Sequence, residues 1–269
     1  MITIESFLTI KYNNSQKKGY FMMDLDYSGK VIVITGGSRG IGRQLVAAFC
    51  NLNATVYYTY RSAEQFNPSV FDTVKGQQPT GIQVDARSAD EVEAFTSDVW
   101  KKDQAIDVLI NNAAFIWRAD FLNTTEEIWN KSVQTNIMGV VNHCTSALKY
   151  MIKNKSGSII NISTVCSDHP IKGQAAYSST KNAVESLTKA ISIEYGSFGI
   201  RANTISPGLI VTEKQKIVTE EDVKKIPLQR VGYAADVCHA AAFLGSTYAD
   251  YITGADLLVT GGSHLNTSS

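Results

Sequence analysis

From Lys30 onward the chain alternates short runs of β-branched and other apolar residues with longer amphipathic stretches. Alternation of this kind specifies strand–helix–strand units and a parallel sheet. Strands are predicted over Val31–Thr35, Thr55–Tyr60, Gly81–Asp85, Val108–Asn111, Ser158–Ser163, Arg201–Ser206 and Asp256–Val259. Helical patterns over Ile41–Cys50, Ala89–Lys102, Glu126–Asn154 and Ala175–Tyr195 lie between them. The prediction is a single α/β domain, doubly wound and Rossmann-like, with a seven-stranded parallel sheet flanked by helices. No linker rich in Pro, Gly or Ser divides residues 25–269, and ligands are expected at the carboxyl ends of the strands. Residues 1–24 break the pattern: short apolar pieces (Ile2, Ile4, Phe7, Leu8, Ile10) are interrupted by Glu5, Lys11 and the polar run 13–18. They read as a poorly ordered extension and lack the features of a secretory or mitochondrial leader.

Composition narrows the class. The 269 residues are 44% apolar, and no run approaches the ~18 apolar residues of a membrane span. Twenty-five basic residues balance 25 acidic ones without long blocks of either sign, which argues against nucleic acid or a membrane surface as partner. Cys50, Cys144, Cys166 and Cys238 are scattered, without metal-ligand or disulfide spacing. A soluble, cytoplasmic protein without a metal is expected.

The first predicted strand runs directly into Gly36-Gly37-Ser38-Arg39-Gly40-Ile41-Gly42 and then a helical pattern. Glycines at 36, 40 and 42 permit a tight turn and close approach of the backbone to a pyrophosphate, while the helix N-terminus offers free N–H groups. The spacing, GxxxGxG, is not the usual GxGxxG of dinucleotide folds. Further motifs follow in order: Asn111-Asn112-Ala113-Ala114, Asn136-Ile137-Met138-Gly139, Tyr177-Ser178-Ser179-Thr180-Lys181, Pro207-Gly208-Leu209-Ile210-Val211-Thr212 and Val259-Thr260-Gly261-Gly262. Together they resemble the short-chain dehydrogenase/reductase family from about Leu25 to the C-terminus.

That resemblance implies a nicotinamide cofactor on Gly36, Ser38, Arg39, Gly40, Ile41, Gly42, Asn112, Ala113, Tyr177 and Lys181. Pro207, Gly208, Ile210 and Thr212 would meet its nicotinamide end, and Asp85 its adenine. In dinucleotide folds an acid closing the second strand holds the ribose of NAD, whereas basic residues accept the 2′-phosphate of NADP. Here that strand closes Thr59-Tyr60-Arg61-Ser62, and Arg39 stands in the glycine turn. Two guanidiniums and the Ser62 hydroxyl suit a phosphate dianion, so NADP(H) is expected.

Tyr177 and Lys181 are four apart in a helical pattern and share one face. An ammonium beside a phenol is expected to bring its pKa down from ~10 toward the range of a general acid. By resemblance, Tyr177 protonates a carbonyl oxygen, and Lys181 holds the ribose. Ser163 and Thr164 both offer a hydroxyl at the end of the fifth strand; the family's spacing, thirteen residues before Tyr177, selects Thr164 where the family usually has Ser. Asn136 matches the family asparagine that bends its helix and holds a water in a proton relay. Ala114 replaces a family glycine and is expected to crowd the backbone there. Enoyl reductases of the superfamily carry Lys about seven residues after Tyr, a position occupied here by Val184.

The segments Phe115–Arg118 and Val165–Lys172 are expected to flank the substrate, with Phe115, Trp117, His169 and Lys172 either contacting it or standing as solvated loop positions, Cys166 a bystander and a lid between Thr212 and Pro227. The resemblance implies an NADPH-dependent ketoreductase similar to 3-oxoacyl-carrier-protein reductases, acting on a small-molecule carbonyl substrate, free or carrier-bound. The alternatives are an alcohol or polyol dehydrogenase working oxidatively and a weakly catalytic NADP-binding sensor. A homotetramer or homodimer is the family's expectation.

Overall fold

The computed structural model describes residues 24–213 and 218–265. The proposed N-terminal extension, up to residue 23, lies outside the described residues, as do 214–217 of the expected lid.

Strand β1 (Val31–Ile34) leads into helix α1 (Gly40–Asn51), β2 (Thr55–Tyr60) and β3 (Thr80–Gln83). Helix α2 (Ala89–Asp103) returns the chain to β4 (Val108–Asn111). Helix α3 (Glu126–Val133), a π-helical turn (Gln134–Met138) and α4 (Gly139–Asn154) then precede β5 (Gly157–Ile162). After α5 (Ala175–Tyr195) come β6 (Ile200–Pro207), β7 (Ile210–Val211), α6 (Glu220–Lys224), β8 (Gly232–Tyr233), α7 (Ala234–Gly245) and β9 (Asp256–Val259). Seven of these strands form one parallel sheet in the order β3-β2-β1-β4-β5-β6-β9, while β7 and β8 pair separately. All seven predicted sheet strands are present.

Alternate residues of each strand point to opposite faces, so every interior strand must be apolar on both. Ile32 and Ile34 of β1 join Leu45 and Phe49 of α1 and Val237 and Ala241 of α7 in one core. Val31 and Val33 join Val92 and Phe95 of α2, Val140 and Met151 of α4 and Val184 of α5 in the other. Local signals set several helix ends. Ser88 caps α2 through the Glu91 N–H, Asp90 and Glu91 lie in its first turn, and Lys101 and Lys102 in its last, which complements the helix dipole. Helix α1 is different: it has no side-chain cap and no acid in its first turn.

Several element ends shift by one residue from the sequence expectation, and three features depart further. The third strand covers Thr80–Gln83, one residue earlier at its start and ending before Asp85, which turns toward Arg87. The helix expected over Glu126–Asn154 is interrupted by the π turn containing Asn136. Helix α7 escaped the pattern because its sequence, AADVCHAAAFLG, is apolar on most faces and has little periodicity. Its small side chains bring it close to α1 and the sheet, with Ala241 and Ala242 buried.

Candidate active site

The strand order reverses between β1 and β4, and a crevice is expected at such a switch point. A cavity of about 590 Å³ opens there over the carboxyl ends of the strands, within the range of small-molecule sites.

One end is built on the glycine turn. Asn112 donates its side-chain amide to the carbonyls of Thr35 (3.0 Å) and Gly36 (3.1 Å). The N–H groups of Asn112 and Ala113 both donate to Thr35 Oγ1 at 3.0 Å. The end of β4 thereby clamps the turn after β1. A Cβ on Gly42 would stand 2.2 Å from the Gly36 carbonyl oxygen, so this backbone approach requires glycine. Gly40 adopts φ +56°, and its N–H donates to Glu213 Oε2 at 3.1 Å. Glu213 also pairs with Arg43. A carboxylate of the chain itself thus uses the uncapped start of α1, which demonstrates its capacity for an anion.

Gly36, Ser38, Arg39, Gly40, Ile41, Gly42, Arg61, Asp85, Asn112 and Ala113 all line this cavity. Ser62 does not; it precedes a short 3₁₀ turn. Asp85 receives Nε of the Arg87 guanidinium at 2.9 and 3.0 Å, and this pairing holds its carboxyl below the usual range. The expectation of Asp85 as an adenine ligand is thereby modified: both carboxylate oxygens are already used, and Arg87 joins the wall. The residues fit a nicotinamide dinucleotide: a glycine cradle without room for Cβ, an anion-accepting helix start, and guanidiniums at the second strand.

Thr164, Tyr177, Lys181, Pro207, Gly208, Ile210 and Thr212 line the other end. The Thr164 hydroxyl and the Tyr177 phenol lie together on this wall, and Thr164 draws the phenol's pKa down. One turn along α5, Lys181 is 1% exposed and donates from Nζ to the Ile162 carbonyl at 2.6 Å. Burial lowers its pKa to about 8, against the opposing pull of Glu185. Nζ lies 6.0 Å from the Tyr177 ring centroid. The expected lowering of the phenol pKa is not seen. Burial pushes Tyr177 upward, as does Cys166, and only Thr164 pulls it down. The phenol is therefore kept protonated, as a proton donor requires.

The two hydroxyls at the end of β5 diverge. Ser163 Oγ donates to Glu185 Oε1 at 2.6 Å, which leaves the Tyr177 contact to Thr164. Asn136 is fully buried and does not line the cavity. Its Oδ1 accepts from the Phe115 N–H (2.7 Å), and its amide donates to the Phe115 carbonyl and Thr180 Oγ1, each at 3.0 Å. The water-holding role expected of this residue is thus closed to its side-chain amide, whose two hydrogens are both engaged. Asn136 instead pins the segment after β4.

That segment presents different residues from those expected. Ile116 and Arg118 line the cavity, while Phe115 stacks with Trp117 and lies under Lys131. In an extended run alternate side chains part, and the Asn136 clamp on Phe115 decides which pair turns inward. Likewise Val165, Cys166, Ile171 and Gln174 line the cavity, and His169 and Lys172 do not. Cys166 is half-buried, with its thiol pushed up chiefly by burial. Ala114 stands at the wall with an exposed side chain, without the crowding expected of it. Among the described residues no cluster of His, Cys, Asp or Glu is arranged to hold a metal, and no helix is long and apolar enough to cross a membrane.

A family model described as Enoyl-(Acyl carrier protein) reductase matches residues 36–264. The 3-oxoacyl-[acyl-carrier-protein] reductase FabG of Staphylococcus aureus is 34% identical over 242 residues, 88% of this chain and 98% of that protein. The chain belongs to the short-chain dehydrogenase/reductase family. The protein of the same name from Chlamydia trachomatis is 35% identical over 239 residues, 87% of this chain and 96% of that one. Among solved structures, a short-chain type dehydrogenase/reductase from Mycobacterium ulcerans aligns with TM-score 0.86 and 25% identity, over 90% of this chain and 92% of that one. ElxO with NADP bound aligns with TM-score 0.83 and 31% identity, covering 87% and 98%. The protein is an NAD(P)-dependent oxidoreductase acting on CH–OH and C=O groups. The model's description names enoyl reduction, but position 184 is a valine buried in the core, and the lysine at the cavity is Lys181.

Proposed function

We propose that this reductase uses NADPH to convert a 3-oxoacyl thioester, carrier-bound or free, to the 3-hydroxyacyl form. The observation that carries this reading is the placing of Thr164 and Tyr177 together on the cavity wall, one helical turn from the buried Lys181 ammonium. The relatives named as 3-oxoacyl-[acyl-carrier-protein] reductases support the substrate class. Arg39 and Arg61 on the wall, together with a structural neighbour that holds NADP, support the cofactor.

When bound, NADPH supplies the hydride to the carbonyl carbon. Tyr177 gives its phenolic proton to the carbonyl oxygen, and Thr164 donates a hydrogen bond to the charge developing there. Lys181 holds the nicotinamide ribose and supplies positive charge beside the phenolate left on Tyr177. Arg39 and Arg61 hold the 2′-phosphate, and the glycine turn with the start of α1 holds the pyrophosphate. Pro207, Gly208, Ile210 and Thr212 close the nicotinamide end. We place the enzyme in the cytoplasm, in keeping with its unpaired cysteines, as a homotetramer or homodimer.

NADPH oxidation measured over acetoacetyl thioesters, cyclic ketones and keto acids, with NADH in parallel, tests the reading. Acetoacetyl thioester should be the best substrate and NADPH the preferred cofactor. Tyr177→Phe should still bind NADPH while kcat falls about 10²–10⁴-fold. Full turnover by that variant, or a preference for NADH, would overturn the assignment concerned.

A further inference from the structure

Helix α5 carries a second buried ionisable residue one turn beyond Lys181. Glu185 is 5% exposed, and the i, i+4 spacing puts it on the same face as the lysine. Its carboxylate does not point to solvent. Oε1 accepts from Ser163 Oγ of β5's end at 2.6 Å and lies 3.4 Å from Ser206 Oγ of β6. Ser206 Oγ donates to Asp256 Oδ1 of β9 at 2.7 Å. This chain of side chains runs behind the catalytic end of the cavity, from α5 across the last three strands of the sheet.

A buried carboxylate is costly unless it is hydrogen-bonded and matched by an opposite charge. A hydrogen bond comes from Ser163, while the single hydroxyl proton of Ser206 goes to the nearer Asp256. Glu185 acts on Lys181 one turn back and on Asp256 of β9, and Lys189 on α5 and Asp168 in the loop after β5 act on that same aspartate. Lys189 is exposed, and the two aspartates carry the same sign as Glu185. Lys181, also buried, is the charge that Glu185 can balance from within the protein. Its ammonium reaches the Ile162 carbonyl without forming a contact ion pair, so it stays at the cavity wall while remaining within the field of the carboxylate.

We propose that Glu185 is a positioning residue for the reaction: held by Ser163, it is the buried counter-charge that keeps Lys181 cationic beside Tyr177. The arrangement also accounts for the pair of adjacent hydroxyls at the end of β5. Thr164 serves the reacting groups, and Ser163 serves the carboxylate behind them. Asp256 sets the limit of the device: its own pKa is raised, first by burial and further by Glu185, so negative charge behind Lys181 does not accumulate freely.

The proposal rests on the catalytic reading of Tyr177 and Lys181, and its test separates the two. In Glu185→Gln the lysine loses its counter-charge and deprotonates at lower pH. The alkaline limb of the kcat/KM profile for NADPH with acetoacetyl thioester should move down by about one to two pH units. Glu185→Asp, which keeps the charge, should restore most of the shift. An NMR titration of the Lys181 ε-carbon, assigned with Lys181→Arg, should show the same displacement and does not depend on turnover. If the lysine titration is unchanged in Glu185→Gln, the counter-charge role is wrong whatever the activity. If the lysine titration moves but wild-type protein reduces no ketone, the role stands and the proposed function fails. Should Glu185→Gln fold poorly, Ser163→Ala, which loosens the carboxylate and retains it, should give a smaller shift in the same direction; no shift there or in Glu185→Gln overturns the proposal.

Discussion

At the scale of single residues, the end of β5 divides labour between two neighbours that differ by one methyl group. Thr164 faces the cavity beside the Tyr177 phenol, and Ser163 donates at 2.6 Å to a buried carboxylate. Thr164→Ala should therefore remove a donor to the developing oxyanion and lower kcat about 10²–10³-fold with little change in NADPH affinity. Ser163→Ala should lower kcat at the pH optimum far less, and should destabilise the fold by about 1–3 kcal/mol, since Glu185 loses this hydrogen bond. Steady-state kinetics and urea unfolding of the two variants measure the contrast, and the reverse ranking would move the oxyanion role to Ser163. The sequence distinguished these two hydroxyls only by counting back from Tyr177. It did not reveal that Ile116 and Arg118, in place of Phe115 and Trp117, face the cavity, because that choice depends on Asn136 clamping the Phe115 backbone from a distant helix.

At the scale of elements, the strands were legible because each is a short apolar run bounded by turn residues, a signal needing no tertiary information. The π turn within the expected Glu126–Asn154 helix was not. Helical periodicity continues through it, and the interruption is visible only in the backbone and in the buried partners of Asn136. Helix α7 was missed for the opposite reason, having too little polarity to show a period. The unit on which cofactor binding depends is β1, the glycine turn and α1. It is held to β4 by Thr35 and Asn112, so displacement at the turn is transmitted to both strands. In Gly42→Ala the new Cβ would meet the Gly36 carbonyl oxygen at 2.2 Å and the Asn112 amide at 2.4 Å, neither of which can move freely. Overpacking here should cost about 1–3 kcal/mol of stability. Isothermal titration should show NADPH binding weakened at least tenfold, whereas the same substitution at Gly196, where an added Cβ meets nothing within 4 Å, should leave NADPH affinity unchanged.

At the scale of the whole molecule, one sheet supplies cofactor and substrate ends of a single cavity, and the surface outside that cavity is not uniform. Helix α5 buries Ala176, Val184, Glu185 and Thr188 against the molecule and leaves Ser179, Asn182, Ser186, Ala190 and Ile193 outward, with Ile193 84% exposed. Four small side chains followed by an exposed isoleucine make a low surface against which another helix can approach closely. At the far end of the sheet β9 is an edge strand, with Leu257 and Leu258 partly exposed and Tyr251 nearby wholly exposed. An edge of this kind needs covering. Closed two-fold assembly through α5 and through β9 satisfies both demands and, using two distinct two-fold contacts, produces a tetramer, whereas one contact alone produces a dimer. Light scattering should therefore report twice or four times the 29.4 kDa chain mass. Ser186→Arg places a bulky charge at the centre of the α5 surface without touching the cavity wall, and should halve the mass of the assembly while the chain stays folded by circular dichroism. If the mass were unchanged by Ser186→Arg but reduced by Leu258→Arg on β9, the contact through α5 would be dismissed and that through the sheet edge retained.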